Sequence, residues 1–409
     1  MSDSERLELL KQQNIIITAP SLDPTQNVSG VSTVVQFIIE NNKERKYQHF
    51  QIGKTDKESG GALQRLLRIW KCYGEWKKIV HNSQFTVHSS MVHYSFPLSA
   101  PSIMRDPWFM HYALKRGYKM VVHVHGGLFL TAPKIPFILE RILKWVFSWD
   151  VPFIVLSEGE KEILQTRFGA KRVEVLPNCP DAPKGNETQS EIATIRGCAT
   201  TIREHGSLRY GASAYDNGSE LREARLEPAK HPSLTLGYLG RIEPNKGMTE
   251  LLEALKKCKE EGRGFKVRFA GKEQTEGEYL PKFEEALGEN FEYCGLVSGE
   301  AKREFLDSLD VFVMPTYFEG LPMSLLETMS YGAIPVVTKV GSIPTVVKDG
   351  ENGLFVKVKD ADSICEALKK LDDDSSLLAK MSVEARKTIQ ENFSAAKYVE
   401  RLNEIYAGL

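Results

Sequence analysis

The sequence predicts an α/β protein of two Rossmann-like βαβ domains facing each other across a cleft, and three observations carry that prediction. The chain has 409 residues, enough for two domains of ordinary size that each bury their own core. Short β-branched runs alternate with helix-length amphipathic segments in both halves, the pattern of a parallel sheet covered on both faces. Between the halves lies a polar stretch, 177–233, rich in Asn, Gly, Ser and Glu, well beyond the ~15 residues of an ordinary connection. The expected division is a first domain over 1–180, a linker with an insertion over 181–232, and a second domain over 233–393. A terminal helix over 394–409 is expected to pack back on the first.

In the first half the expected strands are Asn14–Ala19, Tyr47–Ile52, Phe85–His88, Met120–Val124, Phe153–Leu156 and Val173–Leu176. Helical patterns lie between them at Val31–Glu40, Ala62–Val80 and Pro136–Trp149. The second half repeats the scheme with strands at Leu234–Leu239, Lys266–Ala270, Phe291–Cys294, Val311–Met314 and Ile334–Val337 and helices at Met248–Glu260, Lys302–Leu309 and Met323–Tyr331. Three further helical patterns, Asp362–Leu371, Ser375–Glu391 and Ala395–Ala407, end the chain.

Composition is that of a soluble globular protein, 42% hydrophobic and 26% charged. No uncharged apolar run approaches the ~20 residues a bilayer span requires, and the first residues carry acids rather than a signal core. A cytoplasmic protein is the expectation, with the inner face of the cell membrane as a peripheral address. Six scattered cysteines without C-x-x-C or zinc-like spacing fit buried thiols in a reducing compartment. Residues 1–180 hold 23 Lys+Arg against 16 Asp+Glu and the remainder 30 against 38, a net of +7 and −8. The first half therefore suits an anionic partner, a membrane surface or a phosphate-bearing acceptor, unless the asymmetry is drift in surface charge.

The chemistry-bearing segments follow strands of the second half. MPTYFEGLPMSLLE leaves a strand, crosses a Pro/Gly loop and enters a helix near Pro322. A helix start at the carboxyl end of a parallel strand is an anion site, because free N–H groups and the positive dipole end point into the crevice. Glu319 in the loop and Glu327 in the helix should stand on the order of 10 Å apart, a spacing that suits the sugar and the ribose at the two ends of a nucleotide sugar. LTLGYLGRIEPNKG adds Gly240 with Arg241 and Lys246 just past another strand end. A guanidinium fork and a compact ammonium there can hold a diphosphate and neutralise it as it departs. Taken singly, each of these charges reads more readily as a solvated surface group, and it is their joint placement past strand ends that favours a ligand site.

The run G-R-x-x-x-x-K-G at Gly240–Gly247, followed by E-G-L-P-x-x-x-x-E at Glu319–Glu327, resembles the donor-site pair of retaining GT-B glycosyltransferases of family 4, also called group 1. The resemblance covers most of 231–390 and is weaker in the first half. It implies the GT-B fold with the first domain on the acceptor side, Arg241 and Lys246 on the donor diphosphate, Glu319 on the transferred sugar and Glu327 on the ribose. Backbone amides around Gly320, Leu321, Pro322 and Met323 would serve sugar and phosphates, although Pro322 itself has none to give. It also implies a front-face reaction with retention and without a metal or other cofactor, from a UDP- or GDP-sugar.

In VVHVHGG, His125 resembles the family's histidine near the reacting carbon, and its companion His123 is expected on the opposite face or in the sheet. An H-x-H zinc pair is the competing reading, with no third ligand apparent in the sequence. Gly30, single where the family shows two glycines, is expected to let backbone approach the donor or acceptor. Thr345 stands where the family often has an acid. Asp360 and Asp362 read as a helix cap rather than a metal site.

Two basic, apolar segments, Ala62–Val80 and Lys134–Trp149, have the make-up of interfacial helices. They suggest contact with an anionic membrane and a lipid-linked or glycan acceptor in surface polysaccharide or glycolipid assembly; no nucleic-acid partner is expected. The alternatives are a sugar-nucleotide 2-epimerase, which shares the fold, and a catalytically silent sugar-nucleotide-binding protein.

Overall fold

The structure is a computed structural model that describes residues 14–23, 29–53, 61–81, 90–132, 134–181 and 233–409, without the side chains of Ala62, Leu128 and Thr131. The linker and insertion expected at 181–232 lies outside the described residues, Asp181 apart. So does the strand expected at Phe85–His88.

The first sheet is built from β1 (Asn14–Ala19), β2 (Lys46–Gln51), β3 (Ser90–Phe96), β4 (Lys119–Val124), β5 (Phe153–Val155) and β6 (Val173–Val175). All pairings are parallel, in the order β2-β1-β3-β4-β5-β6. Around them lie α1 (Gly30–Asn41), α2 (Ala62–Val80), α3 (Ala100–Lys115), the short α4 (Leu128–Thr131), α5 (Phe137–Phe147) and α6 (Glu158–Phe168). Ile15, Ile16 and Ile17 are fully buried, since helices cover both faces, so β1 reads as an unbroken apolar run. β3 has no such signature because Ser90, His93 and Ser95 interrupt it, yet all three are buried. α3 is masked in the sequence by two prolines. One, Pro101, sits in the first turn, where no N–H is needed, and Pro107 lies buried inside the helix, where its ring removes one intrahelical bond.

The second sheet holds β7 (Thr235–Leu239), β8 (Lys266–Ala270), β9 (Phe291–Tyr293), β10 (Val311–Met314), β11 (Ile334–Thr338) and β12 (Leu354–Val356), again parallel, in the order β12-β11-β10-β7-β8-β9. Its helices are α7 (Met248–Glu260), α8 (Leu280–Leu287), α9 (Gly299–Asp307), α10 (Met323–Ser330), α11 (Ala361–Asp373) and α12 (Ser375–Asn392). This is the dinucleotide-binding strand order, whereas the first sheet follows the flavodoxin-like one. The winding direction reverses between β7 and β10 here and between β1 and β3 there, and ligands bind at the carboxyl ends of such strand pairs.

After α12 the chain crosses to the first lobe as α13 (Ala395–Ala407). Tyr398 meets Phe37 of α1 edge-on with centroids 5.2 Å apart, and Leu402, Ile405 and Tyr406 complete a core with Ile15, Ile17, Val34 and Ile38. The lobes also exchange side chains: Leu156, just past β5, is buried in the C-terminal core, and Met323 of α10 in the core beneath α1. Residues 14–181 and 233–409 belong to one compact unit.

Candidate active site

β7 and β10, the strands flanking the switch point of the second sheet, end in the two motif loops. From β7 the chain turns at Gly240, whose N–H donates to Ala270 O at 3.0 Å. It then passes Arg241 and reaches Gly247, which adopts the left-handed conformation at φ 74° and caps the start of α7. A Cβ there would overlap the Pro315 carbonyl, so glycine is what lets this turn press on the loop after β10. The second loop is strapped to the first in return: Tyr317 N donates to Asn245 O at 2.9 Å, and the Tyr317 hydroxyl binds Glu250 of α7 at 2.8 Å.

This strapping brings Lys246 and Glu319 together as an ion pair, each side chain less than a fifth exposed. Arg241, about half exposed, instead approaches Glu243 at 3.4 Å, and Glu327 on α10 pairs with Lys302 of α9 at 2.7 Å. Between these groups, Tyr238 donates to Arg241 O at 2.5 Å. Burial, aided by the Glu319 and Glu243 carboxylates, pushes its phenol well above the ordinary range. Pro322 is the N-cap of α10 and offers no side-chain cap; the first intrahelical bond runs from Leu326 N to Pro322 O. The N–H groups of Met323, Ser324 and Leu325 therefore have no partner within the helix.

From the first lobe, His125 follows β4 and Gly126 turns in the left-handed region at φ 69°. A Cβ on Gly126 would lie 2.6 Å from Gly320 Cα, so the two motif backbones touch across the lobes. Asn178 Nδ2 donates to Leu321 O at 2.7 Å, and Ser342 Oγ lies 2.9 Å from Ser157 Oγ and 3.3 Å from Glu160 Oε1. Burial raises Glu160 to about 7. It also lowers His125 to about 3, keeping the ring neutral.

His123 is not on the opposite face. Positions two apart on a strand share a face, and the His123 and His125 rings stack with centroids 4.2 Å apart and planes at 27°. Among the described residues no group of three or more His, Cys, Asp and Glu side chains is arranged to hold a metal ion. Gly30 opens α1, with no atom within 4 Å of a would-be Cβ, so protein packing does not demand glycine there. Thr345 caps its own turn, donating to Ser342 O at 2.7 Å.

The sequence motifs did not point to Glu243, Asn245, Lys302, Asn178, Glu160 or Ser342. Glu243 and Asn245 lie inside the first motif; the buried Glu243 Oε1 has the Arg241 ion pair but no hydrogen bond, and Asn245 Oδ1 and His125 Nε2 are buried without a hydrogen-bond partner. A signal for Glu160 existed: SEGE at 157–160 is a capping box, and Ser157 indeed accepts from Glu160 N.

The fold is that of the GT-B glycosyltransferases. Anabaena HepE, solved with UDP-glucose, superposes with TM-score 0.64 at 14% identity, covering 97% of this chain and 100% of that one. Sucrose-phosphate synthase from Thermosynechococcus elongatus gives TM-score 0.70 at 15% identity over 96% and 98% of the two chains. Residues 222–388 match the family model of the glycosyl transferases group 1. CapM of Staphylococcus aureus, a capsular polysaccharide biosynthesis glycosyltransferase, is 30% identical over 46% of this chain and 50% of its own length. EpsD of Bacillus subtilis, also named as a glycosyltransferase, is 30% identical over 56% and 66%. An Escherichia coli galactosyltransferase named for a GlcNAc-diphosphoundecaprenol acceptor is 33% identical over 25% and 26%. The matches thus span between a quarter and two thirds of these relatives. The fold is GT-B, and residues 222–388 are similar to the glycosyl transferases group 1.

Proposed function

We propose that the chain is a retaining, metal-independent glycosyltransferase that moves a sugar from a nucleotide donor to an acceptor hydroxyl in cell-surface polysaccharide or glycolipid assembly. The observation that carries this reading is the convergence of Lys246, Glu319 and the start of α10 at one switch point. Arg241, Lys246 and the first amides of α10 hold the diphosphate and take up the charge that grows on it as the bond to the sugar breaks. Glu319 binds sugar hydroxyls, Glu327 the ribose, and the neutral His125 faces the reacting carbon. On the same face of that carbon, the acceptor oxygen bonds as the phosphate oxygen leaves, and the acceptor proton passes to the departing phosphate.

UDP-sugars come first among donors because the HepE structures hold UDP-glucose or UDP. A lipid-linked acceptor at a membrane face is supported by the E. coli relative's name and by the outward face of the first lobe. There α3 packs between α2 and α5, exposing Leu63, Leu66, Leu67, Trp70, Trp108 and Phe137 among basic residues. Trp76 does not belong to that face: it is fully buried and donates to Phe109 O at 2.9 Å.

The test is a thermal-shift screen of UDP-, GDP- and ADP-sugars, in which a selective donor raises the melting temperature by mass action. Transfer to polyprenyl-diphosphate sugars with EDTA present follows, with the product anomer read by NMR. An inverted product overturns retention and loss of activity in EDTA overturns metal independence. Isomerisation of the donor without acceptor points to an epimerase instead.

A further inference from the structure

A buried chain of polar side chains runs from α13 to His125. His93 on β3 and His123 on β4 are fully buried, with His93 Nε2 3.2 Å from His123 Nδ1. His93 Nδ1 lies 2.7 Å from the Tyr406 hydroxyl on α13. Tyr47 of β2 neighbours Tyr406, and its oxygen accepts from Asn42 Nδ2 at 2.9 Å. At the other end, the His123 ring stacks on His125.

Chemistry gives this chain a direction. A phenol is a stronger acid than the N–H of a neutral imidazole, so the Tyr406 hydroxyl is the donor and His93 Nδ1 the acceptor. A neutral imidazole carries one N–H, so His93 is protonated on Nε2 and donates to His123 Nδ1, leaving the proton of His123 on Nε2. The N–H that this order leaves on His123 Nε2 is buried without a hydrogen-bond partner. Burial keeps the rings neutral, lowering His93 to about 3 and His123 well below its usual value, so no second proton blurs the order.

We propose that Tyr406 is a positioning residue: the helix that crosses back from the second lobe fixes the tautomers of His93 and His123, and through the stacked pair the ring plane of His125 in the sugar site. The inference rests on the reading of His125 as facing the transferred sugar. It makes α13 part of the site as well as a tie between the lobes.

The experiment uses the full-length chain with ring-15N histidine and two-bond 15N–1H correlation spectra, which report each tautomer, beside steady-state transfer kinetics. The wild type is expected to show neutral, Nε2-protonated His93 and His123 at pH 7. Tyr406→Phe is expected to release His93 into a mixture or the Nδ1–H form and to lower kcat on the order of fivefold with donor KM unchanged. His93→Gln, whose amide can accept from Tyr406 and donate to His123, is expected to keep the His123 tautomer and most of kcat, whereas His93→Leu loses both. Nδ1-protonated His93 in the wild type, or unchanged tautomers in Tyr406→Phe, overturns the relay. Changed tautomers with unchanged kcat overturn its link to the site. A wild type that transfers no sugar, yet shows the tautomer change in Tyr406→Phe, supports the relay and overturns the functional reading.

Discussion

The C-terminal lobe brings charge to the site in pairs, Lys246 with Glu319, Arg241 with Glu243 and Lys302 with Glu327. The N-terminal lobe brings a stacked pair of neutral imidazoles and a carboxyl that burial holds at about 7. On one side the groups are ready to exchange partners with a charged ligand; on the other they are dry and fixed by neighbours. Under the proposed function the contrast is a division of labour in which one lobe stabilises charge and the other holds position. Substitutions on the two sides should therefore fail differently.

The sharpest break should come at Lys246. Lys246→Met removes the ammonium expected to meet the leaving diphosphate, and transfer should fall on the order of 10²–10³-fold. It also leaves Glu319 without its partner in a mostly buried place, a loss of about 1–3 kcal/mol. In Lys246→Met/Glu319→Leu most of that stability should return while transfer stays lost. Melts and a fixed-donor assay of both variants check this. Full activity in Lys246→Met removes the charge role from the C-terminal lobe.

Next in size is the backbone contact where the lobes meet. Gly126→Ala puts a side chain into a left-handed residue, at about 1 kcal/mol or more, and drives its Cβ against the Gly320 backbone. It should lower kcat about tenfold, as small misplacements in active sites do. Gly320→Ala should do less, because its Cβ would meet the movable Leu156 Cδ1 at 3.0 Å and the Gly126 and His125 backbone at 3.2 Å rather than 2.6 Å, at a residue that is not left-handed. Equal effects would mean that this contact is incidental to turnover.

The charged lobe was the legible one. Gly240–Gly247 and Glu319–Pro322 lie in short loops whose composition turn geometry constrains, and Glu327 follows in the first turns of α10, so the motif shows without tertiary knowledge. Both sheets were visible through apolar runs such as Ile15–Ile17, and the three terminal helices through their 3.6-residue period. What stayed hidden depends on contacts distant in sequence. His93 and Ser95 look like loop residues until β3 is known to be covered on both faces. Glu160 is an ordinary helix acid until Ser342 packs on it, and Lys302 is a surface lysine until α9 meets α10. Placing His123 away from His125 was an error of period, since residues two apart on a strand point the same way.

A third way to sharpen the comparison is pH. Glu160 titrates near 7 when folded against an ordinary 4.5, because burial disfavours its carboxylate. Between those values the folded chain keeps a proton that the unfolded chain has released. Stability from this group is therefore full below 4.5, falls as pH rises to 7 and stays lost above, by about 3 kcal/mol at most. Glu160→Gln should match the wild type in melts near pH 4.5 and exceed it at pH 8. No gain at pH 8 would mean that the interlobe carboxyl is better solvated than its burial implies.

The smallest stability effect is expected on the outward side of the positioning lobe. Leu66, Leu67 and Trp70 of α2 are each more than half exposed, so Leu66→Ser/Leu67→Ser/Trp70→Ser removes little buried surface. Each change should stay within about 0.5 kcal/mol. Trp76→Ala, on the same helix but in the core, should cost about 3–5 kcal/mol. Flotation with vesicles containing anionic lipid turns that silence into information. The triple variant should lose low-salt binding that the wild type shows, because partition of the aromatic and leucine side chains adds to the attraction of the basic residues beside them. Binding retained by the variant but abolished by salt would assign the attraction to charge alone. Absence of binding by the wild type would leave α2 as a solvated cover of the sheet, with the acceptor reaching the site from solution.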